Sequence, residues 1–384
     1  MFGLPTLVSL FALVAAKAAQ ASPCVAFDAN FNLLVFGLDG KDWNAGTQDS
    51  WSNGTATDIT ASGRPSFDAS NTTCYLAQFY NAIYVLNGDS SDPSAVYIYD
   101  AATKSWSTQS VTTGKFSPSN FAAILDHDTN VFYAISGTDL FYLNMEAETS
   151  ANSTALSWTD VETDPFPSSY TQPVMALAQN HIHFLDVPDV PAGEAKIFVI
   201  HYSYFQPDAQ SYPASSGNSF PAAHGKTASF FQSEGVQQEF AFIPDDGSAT
   251  YVINVENNST TSYAGPTSKD ADSSYAASIT ALVQLDSTGN LYFFPYTEGD
   301  TSANTAASWT KVTAVSKVAP ASSVAASGTG SHSGSASATG SATGSAGGAS
   351  STGTSGSSSS ANTAAKMSRG LLAAGVLGLV AYLF

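Results

Sequence analysis

Two histidines separated by one residue, His181-Ile182-His183, are the side chains here whose chemistry is easiest to name. On a strand, residues two apart share a face, so both imidazoles could hold one metal ion. His201, in the next strand-like run, is either a third ligand or a hydrogen-bonding neighbour. The pair aligns with Ile83 and Val85 of an earlier run, which are packing positions, so packing is the preferred reading and the metal reading the weaker one. Acidic turns such as Asp39-Gly40-Lys41-Asp42, Asp126-His127-Asp128 and Asp245-Asp246-Gly247 could offer oxygen ligands to calcium. None has the alternating spacing of a dedicated calcium loop, and hairpin turns favour Asp and Gly for backbone reasons alone. Two carboxylates brought together from distant strands would suit glycoside hydrolysis, but no single glutamate stands out. Gly225-Lys226-Thr227 resembles the end of a phosphate loop, yet the upstream glycine position holds Phe220. The chain lacks a G-x-S-x-G elbow, an H-E-x-x-H helix and a dinucleotide fingerprint, so no catalytic residue can be assigned. Trp43 and Trp51 sit in a polar stretch and as loop aromatics would suit stacking on sugar rings, although blade packing is the preferred reading of Trp51, which belongs to a repeat series.

Charge narrows the partners. The chain has 384 residues with 31 acidic and 12 basic side chains, a net charge of −19. A nucleic-acid binder needs a basic footprint to displace counterions, so that class is excluded. Only 11% of residues are charged, which excludes a coiled coil or a long charged helix, and 12% aromatic content excludes wholesale disorder. Cys24 and Cys74 are the two cysteines, and in an oxidising compartment such a pair bonds to itself. Sequons begin at Asn53, Asn71, Asn152, Asn257 and Asn258, which implies a glycosylated surface.

The compartment itself is read from the two ends. Leu4 to Ala16 is uncharged and apolar, and Ala19-Gln20-Ala21 places small residues before a cut at Ser22, so residues 1–21 read as a secretory signal peptide. Gly370 to Phe384 is an apolar terminal stretch, about 22 Å as a helix and shorter than the roughly 30 Å hydrocarbon core. Small residues from Ser357 to Asn362 precede it, with Ser360 and Asn362 in the attachment region, so residues 363–384 read as a glycosylphosphatidylinositol signal. A single membrane span is the alternative. Residues 321–362 are almost entirely Ser, Gly, Ala and Thr, too poor in apolar mass to fold, and are expected to form a disordered stalk.

Residues 22–320 remain, with 31 acidic against nine basic side chains. Apolar strand-like runs begin at Leu33, Ile83, Val131, His181, Glu239 and Leu291, spaced 50, 48, 50, 58 and 52 residues apart. A second marker follows each run: Trp51, Trp106, Trp158, Tyr212, Tyr263 and Trp309, spaced 55, 52, 54, 51 and 46. Within the units, runs rich in Val, Ile, Tyr and Phe alternate with Asn, Gly and Asp turns, and no helical period is sustained. The expected fold is all-β: a β-propeller of six four-stranded blades, with seven as the alternative count. Unit six shows only three clear strands, and strands from both termini would complete the ring.

Unit two carries a specific likeness. Ile83-Tyr84-Val85-Leu86-Asn87-Gly88, then Val96-Tyr97-Ile98-Tyr99-Asp100, then Trp106, resembles a kelch repeat, with Asn87-Gly88 in place of the double glycine. Ser136-Gly137 stands at that position in unit three, and later units lose the glycines. The resemblance implies a propeller scaffold and says little about chemistry. Secreted kelch-type enzymes similar to galactose oxidase use copper and a Tyr–Cys crosslink. That crosslink needs a free cysteine, so no cofactor is expected here.

These readings combine into a monomeric, glycosylated propeller on a stalk, held by a lipid anchor at the outer face of the plasma membrane or in the cell wall. Its expected function is non-catalytic binding of a surface glycan or protein, or a structural role. The alternative is a secreted carbohydrate-active enzyme, hydrolase or lyase, with carboxylates at the propeller axis.

Overall fold

The computed structural model describes residues 22–319 apart from 162–165 and 234. The signal peptide, the stalk and the anchor with Ser360 and Asn362 lie outside the described residues. The described chain is a six-blade all-β propeller, which decides between six blades and seven. Each blade is built on four antiparallel strands in chain order; Gln210–Ser211 adds to the third strand of blade 4, and Ala214–Ser216 pairs parallel with the fourth strand of blade 5. Blade 1 comprises Cys24–Phe27, Leu33–Leu38, Lys41–Asn44 and Thr57–Asp58. Blade 2 comprises Thr73–Ala77, Ala82–Leu86, Val96–Asp100 and Ser105–Gln109, and blade 3 Ala122–Asp126, Val131–Ser136, Asp139–Asn144 and Thr159–Asp160. In blade 4 the strands are Val174–Ala178, His181–Leu185, Glu194–Val199 and Tyr204–Phe205, and in blade 5 Gly225–Ser229, Glu239–Pro244, Ala249–Asn254 and Ser259–Ala264. Blade 6 is built from Ser274–Ala277, Ala281–Leu285, Leu291–Pro295 and Thr310–Lys311.

Blade 6 is therefore complete without borrowed strands. Leu291 begins its third strand, whereas the other five periodic runs begin second strands. The periodic run falls one strand late because Ala281–Leu285, interrupted by Gln284, reads less apolar than Leu291–Pro295.

Why the inner strands are apolar on both faces is visible in blade 1. Leu33 and Val35 pack towards blade 6, while Leu34 and Phe36 pack towards blade 2. Every blade is sandwiched between two neighbours, so side chains alternate between two dry interfaces rather than between core and water. Six buried apolar clusters result, one per interface. The six aromatic markers are all buried in them. Trp106 packs edge-on against Phe36 at 5.2 Å, and Trp158 stacks on Phe116 at 4.1 Å. The interface between blades 3 and 4 holds no marker and is filled by Phe166, Phe184, Phe198 and Phe205.

The ring closes without a shared sheet. Blade 1 is wholly N-terminal and blade 6 wholly C-terminal in origin. After the last strand, Val312, Ala314, Val315 and Ala319 bury themselves with Trp51, Ala56 and Phe293 between the two blades. Ala56 N donates to Ala314 O at 3.0 Å, and Lys317 Nζ reaches the carbonyls of Asn53 and Gly54, both at 2.7 Å. This apolar latch replaces the strand exchange that the sequence suggested. A covalent tie sits beside it in the ring: Cys24 on the inner strand of blade 1 is bonded to Cys74 on the inner strand of blade 2, 50 residues on.

Blade 1 also shows how locally demanding the packing is. The ladder between its second and third strands shifts register after Val35. Gly37 lies there at φ +77°, and a Cβ on it would come within 2.6 Å of the Phe67 ring. Only glycine fits that approach.

Closing a 50-residue loop removes entropy from the unfolded chain. The double variant Cys24→Ser/Cys74→Ser should therefore lose up to about 4 kcal/mol on the chain-entropy model. A lower urea midpoint in non-reducing buffer is the expected reading; an unchanged midpoint would show that the bond constrains nothing.

Candidate functional site

Antiparallel connectivity sorts the loops. Connections from first to second and from third to fourth strands emerge on one face, termed upper; second-to-third and blade-to-blade connections emerge on the lower face. First-to-second connections lie nearest the axis, because the first strands form the inner ring.

The histidine pair lies in the second strand of blade 4, with His181 opposite Ala178 and His183 opposite Ala176. His183 is buried between Tyr212, 5.8 Å away, and Phe240, 5.3 Å away, inside the interface of blades 4 and 5. Burial pushes its imidazole down to about 3, well below the ordinary histidine value. His181 is half-buried and also lowered, first by burial and then by repulsion from His201. His201 is exposed, with its Nε2 3.3 Å from Asn180 Nδ2. Among the described residues no three His, Cys, Asp or Glu side chains are grouped to hold a metal. The pair is placed as packing, not as an open ligand set.

Trp43 and Trp51 are both buried, which overturns the sugar-stacking reading of Trp43 and leaves Trp51 in the blade-packing role that its place in the repeat series favoured. Trp43 Nε1 donates to Leu38 O at 3.3 Å. Trp51 Nε1 donates to Gly46 O at 2.8 Å, and its ring meets Phe293 edge-on at 5.1 Å. Their polar sequence neighbours disguised a segment that folds back into the interface of blades 6 and 1. The exposed aromatics are others. Phe79 is 63% exposed and Tyr202 72%, with Tyr204 beside it at 46%. Phe79 stands on the 3-10 turn Gln78–Tyr80 of blade 2 and Tyr202 on the turn Ile200–Tyr202 of blade 4, both on the upper face. Each turn ends in a left-handed residue, Asn81 at φ 49° and Ser203 at φ 50°. An aromatic just before an Asn or Ser turn residue is thus the pattern that could have revealed them.

Aromatic side chains also meet across the axis at that face. Phe231, from blade 5, lies 5.8 Å from Phe31 of blade 1 and 5.3 Å from His127 of blade 3. His127 in turn stacks on Phe79 of blade 2 at 5.8 Å with the rings 20° apart. Blade 5 is adjacent to neither blade 1 nor blade 3, so these contacts span the ring. Burial lowers the His127 imidazole, opposed by Asp128 and Asp126, so the ring is neutral at neutral pH.

The acids expected at the axis by the enzymatic alternative are dispersed and individually satisfied. Asp42 is held by Arg64 at 2.7 and 2.9 Å. Asp28 accepts the backbone N–H groups of Asn30 and Asn32, both at 2.9 Å. Asp126, whose carboxyl burial raises, accepts Thr129 Oγ1 at 2.6 Å. Glu239, also raised by burial, is held by Tyr296 and by Asn254 Nδ2. Asp245 Oδ2 pairs with His224 Nδ1 at 2.7 Å, while its Oδ1 is buried without a hydrogen-bond partner among the described residues.

All five sequon asparagines are exposed. Asn53, Asn152, Asn257 and Asn258 lie on third-to-fourth connections of blades 1, 3 and 5, while Asn71 lies on the lower-face link from blade 1 to blade 2. Among the described residues, two shallow clefts are of note. One, of about 310 Å³, runs along the edge of blade 1 from Asn44 to Ile59; the other, of about 290 Å³, opens between blades 3 and 4 on the lower face.

No protein-family model matches this sequence, and no curated protein matches it either. Solved structures do. A chain from the crystal structure of a nidogen/laminin complex is 10% identical with a TM-score of 0.37, over 63% of this chain and 79% of that one. Kluyveromyces lactis Hsv2 is 12% identical with a TM-score of 0.36, over 71% of this chain and 72% of that one.

Two expected outcomes follow from the site. Trp51→Ala should cost about 3–5 kcal/mol of stability, as for other buried aromatics, rather than weaken a surface ligand; chemical denaturation reads it. His183 carries a folded-state value below its unfolded one of 6.5, so the unfolded chain binds the extra proton. Its contribution is fully present above pH 6.5 and is lost as pH falls towards about 3, with a slope approaching about 1.4 kcal/mol per pH unit. The raised carboxyls of Asp126 and Glu239 act in the opposite sense, so the decisive comparison is with His183→Phe. That variant should lose less stability between pH 6.5 and 4 than the parent; equal losses would remove His183 from the acid response.

Proposed function

We propose that this chain is a non-catalytic binding protein of the cell surface, whose propeller presents its upper face to a glycan or protein ligand. In this reading residues 1–21 direct secretion, residues 321–362 form the stalk, and a lipid anchor added near Ser360 or Asn362 holds the protein at the membrane or wall. The blades descend from a kelch-type repeat, with the glycine signature retained mainly at Asn87-Gly88, and the protein acts as a monomer. N-glycans on the exposed sequons cover blades 1, 3 and 5 and leave blades 2, 4 and 6 bare on the upper face.

One observation carries the proposal: Phe79, Tyr202 and Tyr204 are large aromatics held in the open on two of those bare blades, 2 and 4. A well-packed protein exposes few such rings, and rigid aromatics on short turns are typical anchors for ligands. The upper end of the axis, where a substrate would enter, is instead crossed by the contacts of Phe231.

The test is binding of the secreted protein to a glycan array and to solubilised surface proteins, with released reducing ends assayed on every hit. Phe79→Ala and Tyr202→Ala should weaken the ligand found by about 30-fold each, a hot-spot loss, with unfolding midpoints unchanged. Turnover of a bound glycan would replace this reading with the enzymatic one. Release of the protein from intact cells by a phosphatidylinositol-specific phospholipase tests the anchor, and retention after treatment would favour a membrane span.

A further inference from the structure

The lower-face cleft between blades 3 and 4 has a chemistry of its own. It occupies about 290 Å³ and is lined by Asn120, Phe121, Thr138, Ser168, Tyr170 and Thr171 among others. That volume is at the small end of ligand clefts, room for one ring rather than a chain.

Its walls are fixed from behind. Tyr170 Oη donates to Leu185 O at 2.7 Å and accepts from Val174 N at 2.9 Å, which locks the ring that forms one side. Phe121 on the other side packs against Phe116 at 5.2 Å. Ser136 Oγ accepts from Ser117 N at 3.0 Å and donates to Asn120 O at 3.3 Å, pinning the turn that carries Asn120. The groups that point outwards are uncommitted. Among the described residues, neither the side-chain amide of Asn120 nor the hydroxyls of Ser168 and Thr171 take part in any hydrogen bond within the protein, and all three residues are exposed. Gly137 stands at the rim with nothing within 4 Å of where a Cβ would sit, so the entrance is open.

No charged side chain lines the cleft among the described residues, although the chain carries 31 acids. What is offered is the half-buried ring of Phe121 as an apolar surface, with Tyr170 buried behind it as a fixed wall, an amide that can both donate and accept, and hydroxyls that do the same. A pyranose ring has the matching pattern, with C–H groups on one face and vicinal hydroxyls at its edge. We infer that this cleft binds a single neutral hexose-type ring, as a site separate from the upper face and independent of whatever that face engages.

The test is titration of the intact secreted protein with glucose, galactose, mannose and N-acetylglucosamine, followed by NMR or calorimetry. One ring held by a few hydrogen bonds should bind at millimolar concentration. Asn120→Ala and Thr171→Ala should each weaken it at least fivefold and leave the unfolding midpoint unchanged, because neither side chain makes an internal hydrogen bond. Ser168→Trp, which fills the cleft from an exposed position, should abolish binding. Phe79→Ala and Tyr202→Ala should not affect it. The inference fails if none of the four sugars binds at 50 mM or below. It fails equally if binding survives Ser168→Trp, or if it is lost in the Phe79 and Tyr202 variants instead, an outcome that would assign the sugar to the upper face.

Discussion

Apolar packing between neighbouring blades is the interaction on which everything else here rests. A four-stranded sheet alone leaves two greasy faces in water, and closing six of them into a ring covers both faces of each. The cost is that no blade can be stabilised independently of its neighbours. A ring also has one seam where the two ends of the chain must meet. This protein seals that seam with side chains: the turn at Val312, Ala314 and Val315 enters the same cluster as Trp51 and Phe293. The disulfide joins the first two inner strands and so preorganises one half of the same region.

Because packing consumes the strands, recognition is left to the loops. Every large aromatic of the repeat series is spent at an interface, and the same is true of Trp43. The rings that remain in the open belong to short turns between strands, where Phe79 and Tyr202 are carried next to left-handed residues. Their rigidity derives from the blades beneath them. The polar groups show the same division. Buried carboxylates such as Asp42 and Glu239 are satisfied individually, as a dry interior requires, and so do not assemble a reactive pair. Uncommitted amides and hydroxyls occur instead at the lower-face cleft, on the exposed positions of connections whose aromatics, Phe116, Phe166 and Tyr170, are buried.

The histidines illustrate how one residue type is divided by environment. His183 is dehydrated inside an interface and held neutral, His127 is stacked among aromatic rings over the axis, and His224 is paired with Asp245 near the lower rim. Spacing alone does not separate these cases, since two imidazoles on one strand face look the same whether that face meets solvent or another blade.

Periodicity in the chain was enough to indicate the all-β character and the unit length and to favour six blades over seven, because a blade repeats its apolar strands; the structure decided the count. The sparse cysteines likewise indicated their own pairing. Three further things were decided only by the tertiary structure. The phase of blade 6 and the apolar latch depended on how the chain ends meet, which no local pattern encodes. The burial of Trp43 and Trp51 depended on a polar segment folding back against a blade distant in sequence. The meeting of Phe31, Phe231, His127 and Phe79 across the axis depended on ring closure, which brings together loops separated by up to 200 residues. Local sequence records what each residue can pack against; only the closed ring determines which partner it meets.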